Sequence, residues 1–172
     1  MKKVCLFLLL ILVLPVVVFA AAIKIKDTPF LINVPDGWEV NESGWMGTLL
    51  ILLDSPKDNF RANIIVYKED VGDMSEEEYR KVNIANIKSL INDAKILRED
   101  EIVINNLKFV LIETTGMQGD IVLHWLQIYT IYKGVSYIFS GTTLEKNADR
   151  YITVFEEAFK TIQLAENGSL KK

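Results

Sequence analysis

The chain has 172 residues, 23 of them acidic and 19 basic, for a formal charge of −4, with one histidine and one cysteine. That acidic balance argues against recognition of a nucleic-acid backbone, which needs clustered Lys and Arg. A single cysteine excludes an internal disulfide and the multi-cysteine zinc sites.

The opening MKKVCLFLLLILVLPVVVFAAA has the three parts of a secretory signal. Lys2 and Lys3 form the charged end, Val4 to Leu14 the apolar run, and Ala20-Ala21-Ala22 the cleavage sequence, with Pro15 breaking the run ahead of it. Val4 to Ala22 is 19 residues long, close to the ~20 that span a bilayer, so an uncleaved N-terminal membrane anchor is the alternative. Cys5 stands near the start of the run, where lipid attachment is not expected. Cleavage removes Cys5 and two of the 19 basic residues, leaving 17 against 23 acidic ones, a formal charge of −6. The expected organisation is a signal peptide over 1–22, a single domain over 23–165 and a flexible polar tail over 166–172. The protein is then exported, periplasmic or secreted. No Pro/Gly/Ser-rich linker or repeat divides the domain, which is long enough to bury about two-thirds of its unfolded surface.

Phe30 to Trp38, FLINVPDGW, predicts a strand with Phe30, Ile32 and Val34 on one face, closed by Pro35-Asp36-Gly37 so that Trp38 folds back over the core. Glu39 to Gly47 reads as a loop. Thr48 to Leu53 reads as a short buried strand, and Asn59 to Tyr67 as its antiparallel neighbour with Phe60, Ala62, Ile64 and Val66 inward. Ser75-Glu76-Glu77-Glu78 matches a capping box and starts a helix of about five turns. Its expected core stripe is Tyr79, Val82, Asn86 and Leu90, flanked by Ile84, Ile87, Ile91 and Ala94.

Ile96 to Ile104 and Leu107 to Thr115 flank Asn105-Asn106, a pair that tolerates the positive φ of a two-residue hairpin turn. Gly116 to Asp120 predicts the next turn, followed by a strand over Ile121 to Tyr132 that is apolar on both faces apart from His124, Gln127 and Thr130. Gly134 turns it into Val135 to Thr143. Finally, Tyr151, Val154, Phe155, Ala158, Phe159 and Ile162 recur at helical spacing, with Asn147 as the expected cap.

Taken in order, F-x-I-x-V-P-x-G-W, ANIIVY, the S-x-E-E-Y helix start, the hairpin, Gln127-x-Tyr129, Gly134-x-x-Tyr137 and the terminal amphipathic helix resemble the PsbP/Mog1/DcrB-like superfamily over most of Phe30 to Leu164. The resemblance implies an α+β fold: an antiparallel β-sheet of about six or seven strands with helices on both faces, an α-β-α sandwich. Members of that superfamily look like adaptor or accessory proteins, but the resemblance transfers no specific function and carries over no ligand residues.

No catalytic set stands out. His124 lies mid-strand beside Trp125 with no G-x-S-x-G to supply a nucleophile, and reads as a satisfied sheet or surface residue. Asp54 and Asp58 lack the glycine and terminal glutamate of an EF-hand loop. Glu76 to Glu78 suit the positive end of a helix. Trp38, Trp45 and Trp125 with Tyr67, Tyr129, Tyr132 and Tyr137 could floor an aromatic groove, although such residues are ordinary in sheets. Trp45 differs, because it sits in a loop between Gly44 and Gly47. Trp45 and Met46 are therefore the expected partner contact, with no catalytic, cofactor-binding or metal-binding residue assigned. The functional expectation is an exported, non-enzymatic accessory or binding protein of the cell envelope with a protein partner and no cofactor. The alternatives are a carboxylate-dependent envelope hydrolase and a carrier of a small apolar ligand held between a helix layer and the sheet.

Overall fold

The structure, a computed structural model, describes residues 19–165. The charged and apolar parts of the expected signal, and the tail over 166–172, lie outside the described residues. Among the described residues, ten strands and two α-helices follow in chain order: β1 (Phe19–Lys24), β2 (Phe30–Pro35), β3 (Glu39–Asn41), β4 (Leu50–Leu53), β5 (Asn63–Asp70), α1 (Glu76–Leu90), β6 (Asn92–Ile104), β7 (Leu107–Gln118), β8 (Ile121–Tyr132), β9 (Val135–Leu144), α2 (Ala148–Lys160) and β10 (Gln163–Leu164). Seven strands form one antiparallel sheet in the order β3-β4-β5-β9-β8-β7-β6, and β1-β2-β10 form a small second sheet.

Alternation along each strand decides which layer covers which face. Phe109, Leu111, Leu126, Ile128 and Phe139 point to one side, where they pack with Phe30, Ile32 and Val34 of β2 and with Tyr151, Phe155, Ala158, Phe159 and Ile162 from α2 and its C-terminal end. Val110, Ile112, Tyr129 and Ile138 point to the other side and meet Tyr79 of α1. The result is a helix on each face of a seven-stranded sheet, with the small sheet sharing the α2 layer. Gly141 explains how closely α2 sits: a Cβ there would stand 2.5 Å from the Phe155 ring.

FLINVPDGW forms a strand and corner as its pattern predicts. Phe30, Ile32 and Val34 are buried, Trp38 N–H donates to Pro35 O at 3.1 Å, and Gly37 takes a φ of 74°. The stretch belongs to the small sheet rather than the large one, between β1 and β10. The expected cleavage sequence Ala20-Ala21-Ala22 lies within β1, and Ile23 and Lys24 beyond it pair with Ile32 and Leu31. The Asn105-Asn106 hairpin has φ of 46° and 65°, as its turn chemistry requires.

Four local readings are corrected. Glu39 to Gly47 is not all loop, because Glu39–Asn41 pairs with Ile51–Leu53 as the edge strand β3. The turn expected at Gly116 begins only at Gly119: β7 runs on to Gln118, and Gly116 is needed because a Cβ there would collide with the Ile91 side chain and stand 2.9 Å from Asn92 O. Asn147 makes no side-chain cap bond, since the single 3₁₀ turn Glu145–Asn147 leads directly into α2. In α1 the capping box is present, with Glu78 N–H donating to Ser75 Oγ and Ser75 N–H donating to Glu78 Oε2. Its buried residues, however, are Tyr79 and Asn83, whereas Val82 and Leu90 are exposed.

Candidate functional site

The loop between β3 and β4 closes in a 3₁₀ turn over Trp45–Gly47. Gly44, Met46 and Gly47 take positive φ of 74°, 51° and 81°, and Thr48 Oγ1 donates to Trp45 O at 2.7 Å, which fixes the turn. A left-handed methionine is a strained choice. Its effect is to hold two adjacent apolar side chains outward, Trp45 at 62% and Met46 at 81% exposure. Val40 of the neighbouring edge strand is also exposed.

His124 is buried, and both its ring nitrogens are engaged: Nε2 with Glu113 Oε1 at 2.9 Å and Nδ1 with Glu145 Oε2 at 2.8 Å. Glu145 also accepts from Thr115 Oγ1, while Arg98 bridges Glu113 and Glu156 of α2. The ring thus sits between two carboxylate acceptors, one on each side. The cluster ties the far end of the sheet to α2.

The aromatic set is divided by the fold. Tyr137 and Tyr132 pack edge-on against Phe30 at 5.0 and 6.4 Å, Trp38 against Tyr151 and Phe155 at 6.5 and 6.3 Å, and Tyr129 against Tyr79 at 5.0 Å. Those are core contacts. Trp125 and Tyr67 instead line a pocket of about 250 Å³ between α1 and the sheet, with Glu69, Asn83, Gln127 and Ser140. Burial, followed by the nearby Glu69 charge, pushes the Tyr67 phenol up to about 12. Glu69 accepts a hydrogen bond from Tyr79 Oη at 2.7 Å. Asn83 and Gln127 were not singled out by any site pattern in the sequence, because two amides on different elements form no linear motif.

A second pocket of about 250 Å³ opens between α2 and the β6 edge, where Ile102, Ile104, Leu111, Ile128 and Phe159 make an apolar wall and Arg98 and Glu156 the rim. Among the described residues, no helix is long and apolar enough to cross a membrane, and no group of three or more His, Cys, Asp or Glu converges as a metal site.

A seven-stranded antiparallel sheet between one helix and a layer of helix plus small sheet defines the PsbP/Mog1-like α+β class. Solved structures share this fold with the chain. Cyanobacterial PsbP (CyanoP) from Synechocystis sp. PCC 6803 is 16% identical, over 88% of this chain and 95% of that one, with a TM-score of 0.64. LpqN of Mycobacterium tuberculosis, involved in cell envelope biogenesis, is 10% identical over 84% and 90%, at 0.67. PA94 from Pseudomonas aeruginosa, a protein of unknown function, is 15% identical over 82% and 94%, at 0.60. No protein-family model matches the sequence, and no curated protein does.

Proposed function

We propose that the chain is an exported, non-enzymatic accessory protein of the cell envelope that binds a protein partner through the Trp45–Met46 turn. The observation that carries this reading is the pair of outward apolar side chains on a turn held by three positive-φ residues. Tryptophan is a frequent energetic anchor at interfaces, and a preset turn lowers the ordering cost of binding. The secretory character of residues 1–22 supports export, and the fold shared with LpqN agrees with a place in the envelope.

A photo-crosslinking amino acid placed at Met46 of the exported protein tests the proposal in cells. A discrete crosslinked species from position 46, missing when the same group stands at exposed Lys88 on α1, is the expected result. Equal capture at both positions, or none at either, overturns it.

The apolar wall beneath the β6 edge favours one second reading, carriage of a small apolar ligand. Saturable binding of a fluorescent apolar probe that is blocked by Ile128→Trp would support it.

A further inference from the structure

The face of the sheet beneath α1 is apolar at Val110, Ile112, Tyr129 and Ile138 but turns polar around Gln127. The β7-β8-β9 register sets Gln127 between Ile112 and Ser140, and Trp125 between Thr114 and Thr142, all on that face. Asn83 of α1 joins Gln127 in the lining of the pocket between helix and sheet. Asn83 and Gln127 are only 9% and 8% exposed, yet Asn83 Nδ2 and Gln127 Nε2 have no hydrogen-bond partner among the described residues. Both nitrogens are themselves shielded from solvent; buried amides without partners lower stability, so two such side chains on one pocket wall point to a ligand that satisfies them once the amide groups turn toward it.

We propose that this pocket binds a single neutral sugar ring. An amide donates and accepts, as a sugar hydroxyl does, so Asn83, Gln127 and Ser140 suit a polyhydroxylated edge. Trp125 and Ile87 offer apolar surface for the C–H face of the ring. An anion is disfavoured because the pocket is lined by Glu69 and by no Lys or Arg. A cation is disfavoured because the only lining carboxylate is already engaged by Tyr79. The volume of about 250 Å³ falls below the range of drug-sized sites, which limits the occupant to one ring. The site uses none of the residues of the Trp45 turn and stands or falls independently of it.

Side-chain NMR of the purified exported protein tests the proposal, with glucose, galactose and N-acetylglucosamine as probes and tetramethylammonium and trialanine as comparators. Expected are saturable shifts of the Asn83 and Gln127 amide signals and of the Trp125 indole N–H with at least one sugar, while the Trp45 indole stays still. Gln127→Leu is expected to weaken that binding by at least ~10-fold without lowering the melting temperature. Should Gln127→Leu fail to fold, Asn83→Ala serves as the variant, with the same expected loss. No saturable shift with any of the three sugars, shifts with tetramethylammonium or trialanine alone, or unchanged affinity in the variant overturns the proposal.

Discussion

Beneath α2 and the small sheet, Phe30, Phe109, Phe139, Phe155 and Phe159 are all 0–2% exposed, and Phe139 meets Phe30, Phe109 and Phe159 edge-on at 5.9 to 6.4 Å. Beneath α1, on the opposite face of the same sheet, the apolar cluster is confined to Tyr79, Val110, Ile112, Tyr129, Ile138 and a few flanking residues, after which the face turns to Gln127, Ser140, Thr114, Thr142 and Asn63. Buried polar atoms without a partner among the described residues gather there too, among them Asn83 Nδ2, Gln127 Nε2, Thr114 Oγ1 and Asn63 Oδ1. One face of the sheet carries the burial that folds the protein. The other keeps polar groups at a cost to stability, as binding surfaces do.

The largest expected effect lies on the α2 side. Trp38→Ala opens a cavity against Tyr151 and Phe155 and is expected to cost about 3 kcal/mol in urea denaturation. Trp45→Ala, which removes an exposed side chain, is expected to stay within about 0.5 kcal/mol of the parent. Similar losses at both positions would mean that Trp45 is a folding residue and not a contact.

His124→Leu is expected to cost about 2 kcal/mol, since it strips partners from Glu113 and Glu145 and leaves the more buried Glu113 to Arg98 alone. A neutral outcome in the same denaturation assay would remove the cluster from the account of how α2 is fixed.

A smaller effect concerns alkaline pH. Burial is the main cause that pushes Tyr67 and Tyr129 up to about 12, and burial with the Asp54 contact does the same for Tyr151, against an ordinary value of 10.0. The folded state therefore holds these protons more tightly than the unfolded chain. Their contribution is complete below pH 10 and is lost as the pH rises from 10 towards 12. Melting temperature is expected to fall across that window and to fall less in Tyr67→Phe and Tyr129→Phe. Equal slopes in parent and variants would show that neither phenol is held as its burial implies.

The α2 face was legible in the sequence because its elements obey simple periods. Tyr151, Phe155, Ala158 and Phe159 recur at helical spacing and are all buried, and β8 spans the predicted Ile121 to Tyr132. The capping box and the Asn105-Asn106 turn were legible because their chemistry is local. The α1 face was not, and the reason lies in its function-like character. An apolar stripe of helical period picks out Tyr79, Val82 and Leu90, but over a half-polar sheet only Tyr79 of these is buried, and Asn83 is buried beside it. β3 escaped because three residues of an edge strand, Glu-Val-Asn, carry almost no alternation, and β10 is shorter still. Trp125 and Tyr67 were visible as aromatics, but nothing linear separates them from Tyr132 and Tyr137, which the fold places in the core.

The contrast between the two faces is tested most directly by the melting temperature of the double variant Asn83→Leu/Gln127→Leu. If the two amides are kept for binding, replacing them with apolar side chains of similar size leaves the melting temperature of the ligand-free protein equal to or above that of the parent. A fall of more than about 4 °C, which for a chain of this length corresponds to at least ~1 kcal/mol, would contradict the account and make both amides part of the core.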